Sequence, residues 1–131
     1  MSDPIREAGM NVRREVLGDE HVDRAVASTT EFTQPFQDYI ALAAWGSVWT
    51  RDGIDRRMRS AITLAVLTAL GREQEIAMHV RAALRNGLSR EEIAEVLLHT
   101  AVYAGVPAAN AAFAIGQRVF DDLDAGGGEP A

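Results

Sequence analysis

Apolar residues recur at three- and four-residue spacing along most of the chain, and no stretch alternates with period two for long enough to form a strand. The pattern predicts an all-α bundle of about six or seven helices joined by short antiparallel connections. A first amphipathic helix over residues 3–17 carries Ile5, Met10, Val12, Val16 and Leu17 and stops at Gly18. A short helix follows from about His21 to Ala27. Thr33 as a cap and Pro35 in the first turn open a third helix that reaches Trp45, where Gly46 breaks or bends it. Trp49 to Gly53 is turn-like, and Asp55 can cap a helix that runs to Leu70 and ends at Gly71. Arg72 to Arg85 forms the next helix, closed by Asn86 and Gly87. Ser89 and Glu92 fit a capping box for a helix over residues 90–104. Gly105 and Pro107 separate it from a last helix that reaches about Leu123. The expectation is one domain over residues 1–123, with 124–131 a disordered tail.

Two neighbouring helices stand out. Ser60 to Leu70 carries no charge on any side, and such a helix is normally covered all round. So short a chain has few neighbours to offer it, which predicts association into a closed homo-oligomer. In the following helix, Arg72, Glu75 and His79 share one face beside an apolar stripe of Ile76, Val80, Ala83 and Leu84.

The inventory narrows the chemistry. A net charge of −6 over 131 residues argues against nucleic acid or an acidic membrane surface as partner. No apolar run approaches the ~18 residues of a membrane helix, and the start of the chain has no apolar signal region, so a cytoplasmic location is expected. The chain has no Cys, which removes thiol chemistry. All 13 basic residues are Arg, so no lysine Schiff base can form, whether the bias reflects genome composition or selection. His21, His79 and His99 lack the spacing of metal sites, and the expectation is no metal and no cofactor.

Three constellations remain. Glu75 and His79, at i and i+4, can orient and charge an imidazole for general acid work, or form an ordinary helix ion pair beside a core. Glu92, Glu95, His99 and Tyr103 share a face of the next helix; the plain reading is a solvated edge with Tyr103 half-buried, with His99 and Tyr103 lying deeper in the apolar run. Arg51, Arg56, Arg57 and Arg59 cluster near Trp45 and Trp49, and can grip an anionic small molecule or pair with the chain's own acidic residues.

Long segments resemble the carboxymuconolactone decarboxylase family: Val12-Arg-Arg-Glu-Val-Leu-Gly18, Phe36-Gln-Asp-Tyr-Ile40, Ala44-Trp-Gly-Ser-Val-Trp-Thr-Arg51, Leu67-Thr-Ala-Leu-Gly-Arg72, His79 to Gly87, and Glu95 to Asn110. Alkyl hydroperoxidase-type relatives carry Cys-x-x-Cys-x-x-x-His, and here Arg72 and Glu75 stand at the two Cys positions, so the resemblance is to the decarboxylase branch. The chain departs from that branch at Asp52, where Pro is common, and at Ala104, where Cys is often found. The resemblance implies an alkyl hydroperoxidase-like helical fold, a trimer or hexamer, and cofactor-free loss of carbon dioxide from 4-carboxymuconolactone, in protocatechuate breakdown. In that reading His79, oriented by Glu75, is the acid; Arg51 and Arg59 hold the substrate's acetate arm; Trp49, His99 and Tyr103 line the pocket. A related cofactor-free enzyme acting on another lactone or oxo acid, and a non-catalytic helical binding protein, are the alternatives.

Overall fold

Asp3 accepts hydrogen bonds from the backbone N–H of Ile5 (2.9 Å) and Arg6 (3.5 Å), and with Pro4 in the first turn it starts helix α1 over Pro4–Leu17. The computed structural model describes residues 3–126. Gly18, at φ 92°, ends α1, and α2 (Asp19–Ala27) follows at once. The second helix therefore begins two residues before the expected His21. Helix α3 spans Gln34–Ile40 and passes directly into a π-helical segment, Ala41–Gly46. The remaining helices are α4 (Arg56–Leu70), α5 (Glu73–Arg85), α6 (Arg90–Ala104) and α7 (Val106–Asp124). Among the described residues there is no strand, and no helix is long and apolar enough to cross a membrane. Asp124, expected in the tail, closes α7; residues 127–131 of that expected tail lie outside the described residues.

Two compact units divide the chain, Met1–Asp55 and Arg56–Ala131. In the first, α1 lies against the π-helical segment backbone to backbone. A Cβ on Gly9 would stand 2.6 Å from the amide nitrogen of Gly46, and one on Gly46 would stand 2.6 Å from the carbonyl oxygen of Ile5. Only two glycines permit this crossing. The bend expected at Gly46 is thus a widened turn of helix, with Trp45 buried and stacked on Trp49 at 5.2 Å between ring centroids.

The second unit is a four-helix bundle. Its core joins Leu64 of α4, Ile76, Val80 and Ala83 of α5, Leu88, Ile93 and Leu97 of α6 and its lead-in, and Ala112, Ile115 and Val119 of α7. The apolar stripe expected on α5 is therefore the face that packs. The expected capping box forms, with Ser89 Oγ accepting from the Glu92 N–H (3.0 Å) and Glu92 Oε1 accepting from the Ser89 N–H (2.9 Å). Glu92 does a second job: its Oε2 lies 2.5 Å from Arg57 Nη2, tying α6 to the start of α4. The neighbouring Ser60 Oγ accepts from Asn86 Nδ2 (2.9 Å), which ties the same end of α4 to the α5–α6 turn.

The Arg57 guanidinium, and after it the Ser89 N–H, hold the Glu92 carboxyl down to about 2 from the ordinary 4.5. A depressed carboxyl contributes its stabilisation fully above its unfolded value and loses it as pH falls toward the folded one. Glu92→Gln should accordingly remove part of the acid sensitivity between about pH 4.5 and pH 2. Urea midpoints of the two proteins, compared at about pH 5 and about pH 3, check this: the gap between them should narrow at the lower pH.

Helix α4 is not covered all round by its own chain. Ser60, Leu64 and Thr68 are buried, but Met58, Ile62, Val66 and Leu70 are exposed within the chain, spaced by four residues on one face. Helix α6, which packs beside α4, likewise exposes Leu98, Val102 and Tyr103. An uncharged helix is thus covered on one side only.

Candidate active site

Of the residues singled out in the sequence, Arg59, Glu75, His79, His99 and Tyr103 belong to the second unit, and Trp49 and Arg51 to the first. Helices α4 and α5 pack together across the turn at Gly71, whose φ of 71° reverses the chain. Arg59 lies twelve residues before that glycine and His79 eight after it. On antiparallel axes the two are offset by only about 6 Å, one helical turn. Arg59 sits next to the pinned Ser60, so the end of α4 that presents it is held by the Arg57–Glu92 and Asn86–Ser60 contacts.

His79 is half-buried, one position from the core residue Val80, and its Nδ1 is shielded from solvent. A half-buried imidazole beside the core keeps part of its ring accessible, which suits a group that passes a proton to a bound molecule. Glu75 does not hold it in the manner expected. The Glu75 carboxylate is exposed in the first turn of α5 and, among the described residues, makes no hydrogen bond or ion pair. Its position at the helix N-terminus explains the preference, because a carboxylate there is favoured by the helix dipole and by water without a side-chain partner.

On α6 the rings of His99 and Tyr103 stack at 5.2 Å between centroids, tilted by 39°. The stripe Glu92, Glu95, His99, Tyr103 does share a face, but its members divide: Glu92 is in the capping box, and Glu95 and His99 are exposed. Tyr103, expected to be half-buried, is 80% exposed, and His99 is no deeper than its neighbours. The apolar run that suggested depth turns one side of α6 outward, along with Leu98 and Val102. The Arg cluster also divides: Arg57 is engaged with Glu92 and with the carbonyl of Gly87, Arg59 is half-buried, and Arg51 is exposed in the first unit.

A groove of about 420 Å³ in the second unit does not contain these residues; it lies between α5 and α7, walled by Glu73, Ala77, Arg81, Arg118 and Asp122. Arg81 is bound there to Asp122 at 2.5 Å. Ala77 and His79 are two residues apart, so groove and imidazole lie on opposite flanks of α5. The groove offers no acid or base in a sheltered place, and the half-buried imidazole is the better chemical site. Among the described residues no three His, Asp or Glu side chains converge to hold a metal ion.

The chain belongs to the carboxymuconolactone decarboxylase family, whose profile matches residues 34–118, from the first residue of α3 into the last turns of α7. It is 48% identical over 124 residues to a 4-carboxymuconolactone decarboxylase of Acinetobacter baylyi, covering 94% of this chain and 92% of that one. It is 40% identical over 117 residues to nitrosuccinic acid decarboxylase of Metarhizium robertsii, covering 89% of this chain and 82% of that one. A 4-carboxymuconolactone decarboxylase of Pseudomonas putida is 50% identical over 40 residues, 30% of this chain. Every candidate residue named above lies inside the family match.

Proposed function

We propose that this protein decarboxylates 4-carboxymuconolactone to the enol-lactone of 3-oxoadipate without a cofactor. The observation that carries the reading is the 48% identity to the Acinetobacter enzyme over nearly the whole of both chains. The half-buried His79 in the matched region supplies a suitable acid.

The substrate contains its own electron acceptor. When the ring carboxylate leaves as carbon dioxide, the electron pair of the broken carbon–carbon bond passes through the adjacent double bond to the lactone carbonyl oxygen, giving a dienolate. One proton delivered to carbon completes the reaction. His79 is assigned to stabilise the developing oxyanion or deliver that proton. Glu75, one turn away, is within reach of the imidazole through a change of side-chain rotamer. Arg59 and Arg51 are assigned by charge to the acetate arm, and Trp49, His99 and Tyr103 to excluding water. The leaving carboxylate should have no tight cation partner, since pairing would stabilise the ground state more than the transition state.

The fungal relative supports a second reading. Nitrosuccinic acid is also a multiply carboxylated compound with an electron acceptor of its own, so the scaffold can serve a different acid by the same logic. Purified protein, dialysed against a chelator, should still turn over 4-carboxymuconolactone, followed as enol-lactone formation. No turnover of the lactone alongside turnover of nitrosuccinate would transfer the assignment to the second reading. Activity lost on chelation and restored by a metal would overturn the cofactor-free mechanism.

The working form is proposed to be a homo-oligomer, trimer or hexamer, because the uncharged α4 and its neighbour α6 leave Met58, Ile62, Val66, Leu70, Leu98 and Val102 facing outward.

A further inference from the structure

The first unit holds a buried charge to which its fold gives no counter-ion. Arg13 lies on the inward face of α1 with Gly9 and Val16, and its side chain is almost wholly removed from solvent, the residue being 6% exposed. Its Nη1 donates to Oε1 of Gln37 at 3.1 Å, a neutral acceptor, and its Nε is shielded and has no acceptor among the described residues. The other arginines of the unit's helices are matched with carboxylates: Arg6 with Asp38 at 3.2 Å, Arg14 with Asp19 and Asp23, Arg24 with Glu20. Among the described residues no carboxylate pairs with Arg13. A desolvated guanidinium normally acquires an anionic partner, because leaving it unmatched is costly.

A cavity of about 110 Å³ opens against it, walled by Arg13, Gln37, Gln34, Thr29 and Arg6, with Met10 as an apolar side. The polar groups around this cavity are mostly committed. Gln34 Nε2 donates to Asp38, Thr29 Oγ1 donates to the Ala25 carbonyl, and the Arg6 charge is cancelled by Asp38. Two donors remain. Gln37, with Oε1 turned to Arg13, has its amide nitrogen bound to no described residue, and the Arg13 guanidinium has only that neutral acceptor.

We propose that this cavity is an anion site that takes one small carboxylate group, gripped by the Arg13 guanidinium and the Gln37 amide. The volume suits a carboxylate with a few carbons, and none of the residues assigned to the decarboxylation walls the cavity, so the proposal does not depend on that assignment. The carboxylate comes either from a free acid such as acetate or from an Asp or Glu side chain of a second copy of the chain; the chemistry of recognition is the same.

The test uses the full-length protein with acetate as probe, chloride being the matched control. The Nε–H resonance of Arg13 should move with acetate in the millimolar range and not with chloride, and the melting temperature should rise by a few degrees, about 3 °C at saturation. A resonance that moves instead with protein concentration, and is reversed by acetate, assigns the carboxylate to a second copy. Gln37→Glu places a carboxylate against Arg13 from within, so it should raise the melting temperature without added acid and weaken the acetate response by about tenfold or more. This variant removes no buried charge and so avoids the folding risk of Arg13→Leu. An Arg13 resonance indifferent to acetate and to protein concentration, or a Gln37→Glu protein that responds to acetate as the wild type does, overturns the site.

Discussion

Replacing His79 with Ala is expected to lower turnover of 4-carboxymuconolactone by ~100-fold or more while leaving substrate binding nearly unchanged. The interaction removed is one made mainly as negative charge develops on the lactone oxygen or as carbon accepts its proton, so the loss falls on kcat. His99→Ala is the comparison. His99 is exposed on α6 and stacked on Tyr103, and it is assigned to shield the reaction from water, so its loss should be milder and divided between kcat and KM. Glu75→Gln discriminates further, because the Glu75 carboxylate makes no bond to the imidazole in this structure and matters only if it turns onto His79 during turnover. Both histidine variants need to be shown folded by circular dichroism first, since His79 sits beside the core residue Val80. A folded His79→Ala enzyme with near-normal kcat would remove α5 from the chemistry and direct attention to His99 and Tyr103.

Val66→Glu is expected to convert the assembled protein into folded single chains. Val66 is 49% exposed and lies four residues from both Ile62 and Leu70 on the open side of α4. Within one chain a carboxylate there reaches water, so helical content and the packing of Leu64 should persist. In an assembly that covers this face, the same carboxylate would be buried without a partner, costing at least about 3 kcal/mol per copy and weakening association by ~100-fold or more. Light scattering of wild type and variant at matched concentration reads the difference. A wild-type mass of 14.2 kDa at micromolar concentration, or a variant that assembles as wild type does, would show that α4 is not an assembly surface.

The sequence by itself determined the helical class and nearly every helix end. Caps and stops act within a turn of the backbone, so Ser89 with Glu92, Gly18, Gly71 and Gly105 could be read without knowing the rest of the fold. The apolar stripe Ile76, Val80, Ala83 was equally legible, because period and burial are linked on any packed helix. The family resemblance also rested on local segments, and it extended over most of the chain. Tertiary structure decided the rest. Periodicity names a face without saying which neighbour covers it, so the apolar run of α6 suggested depth for His99 and Tyr103 although their side of the helix faces outward. Spacing at i and i+4 permits a Glu75–His79 pair but does not force one, since water and the helix N-terminus compete for the carboxylate. The backbone crossing at Gly9 and Gly46 depends on two segments far apart in sequence. Arg13 was likewise hidden: charge suggests surface, and only its register with Gly9 and Val16 on α1 signalled that this guanidinium points inward.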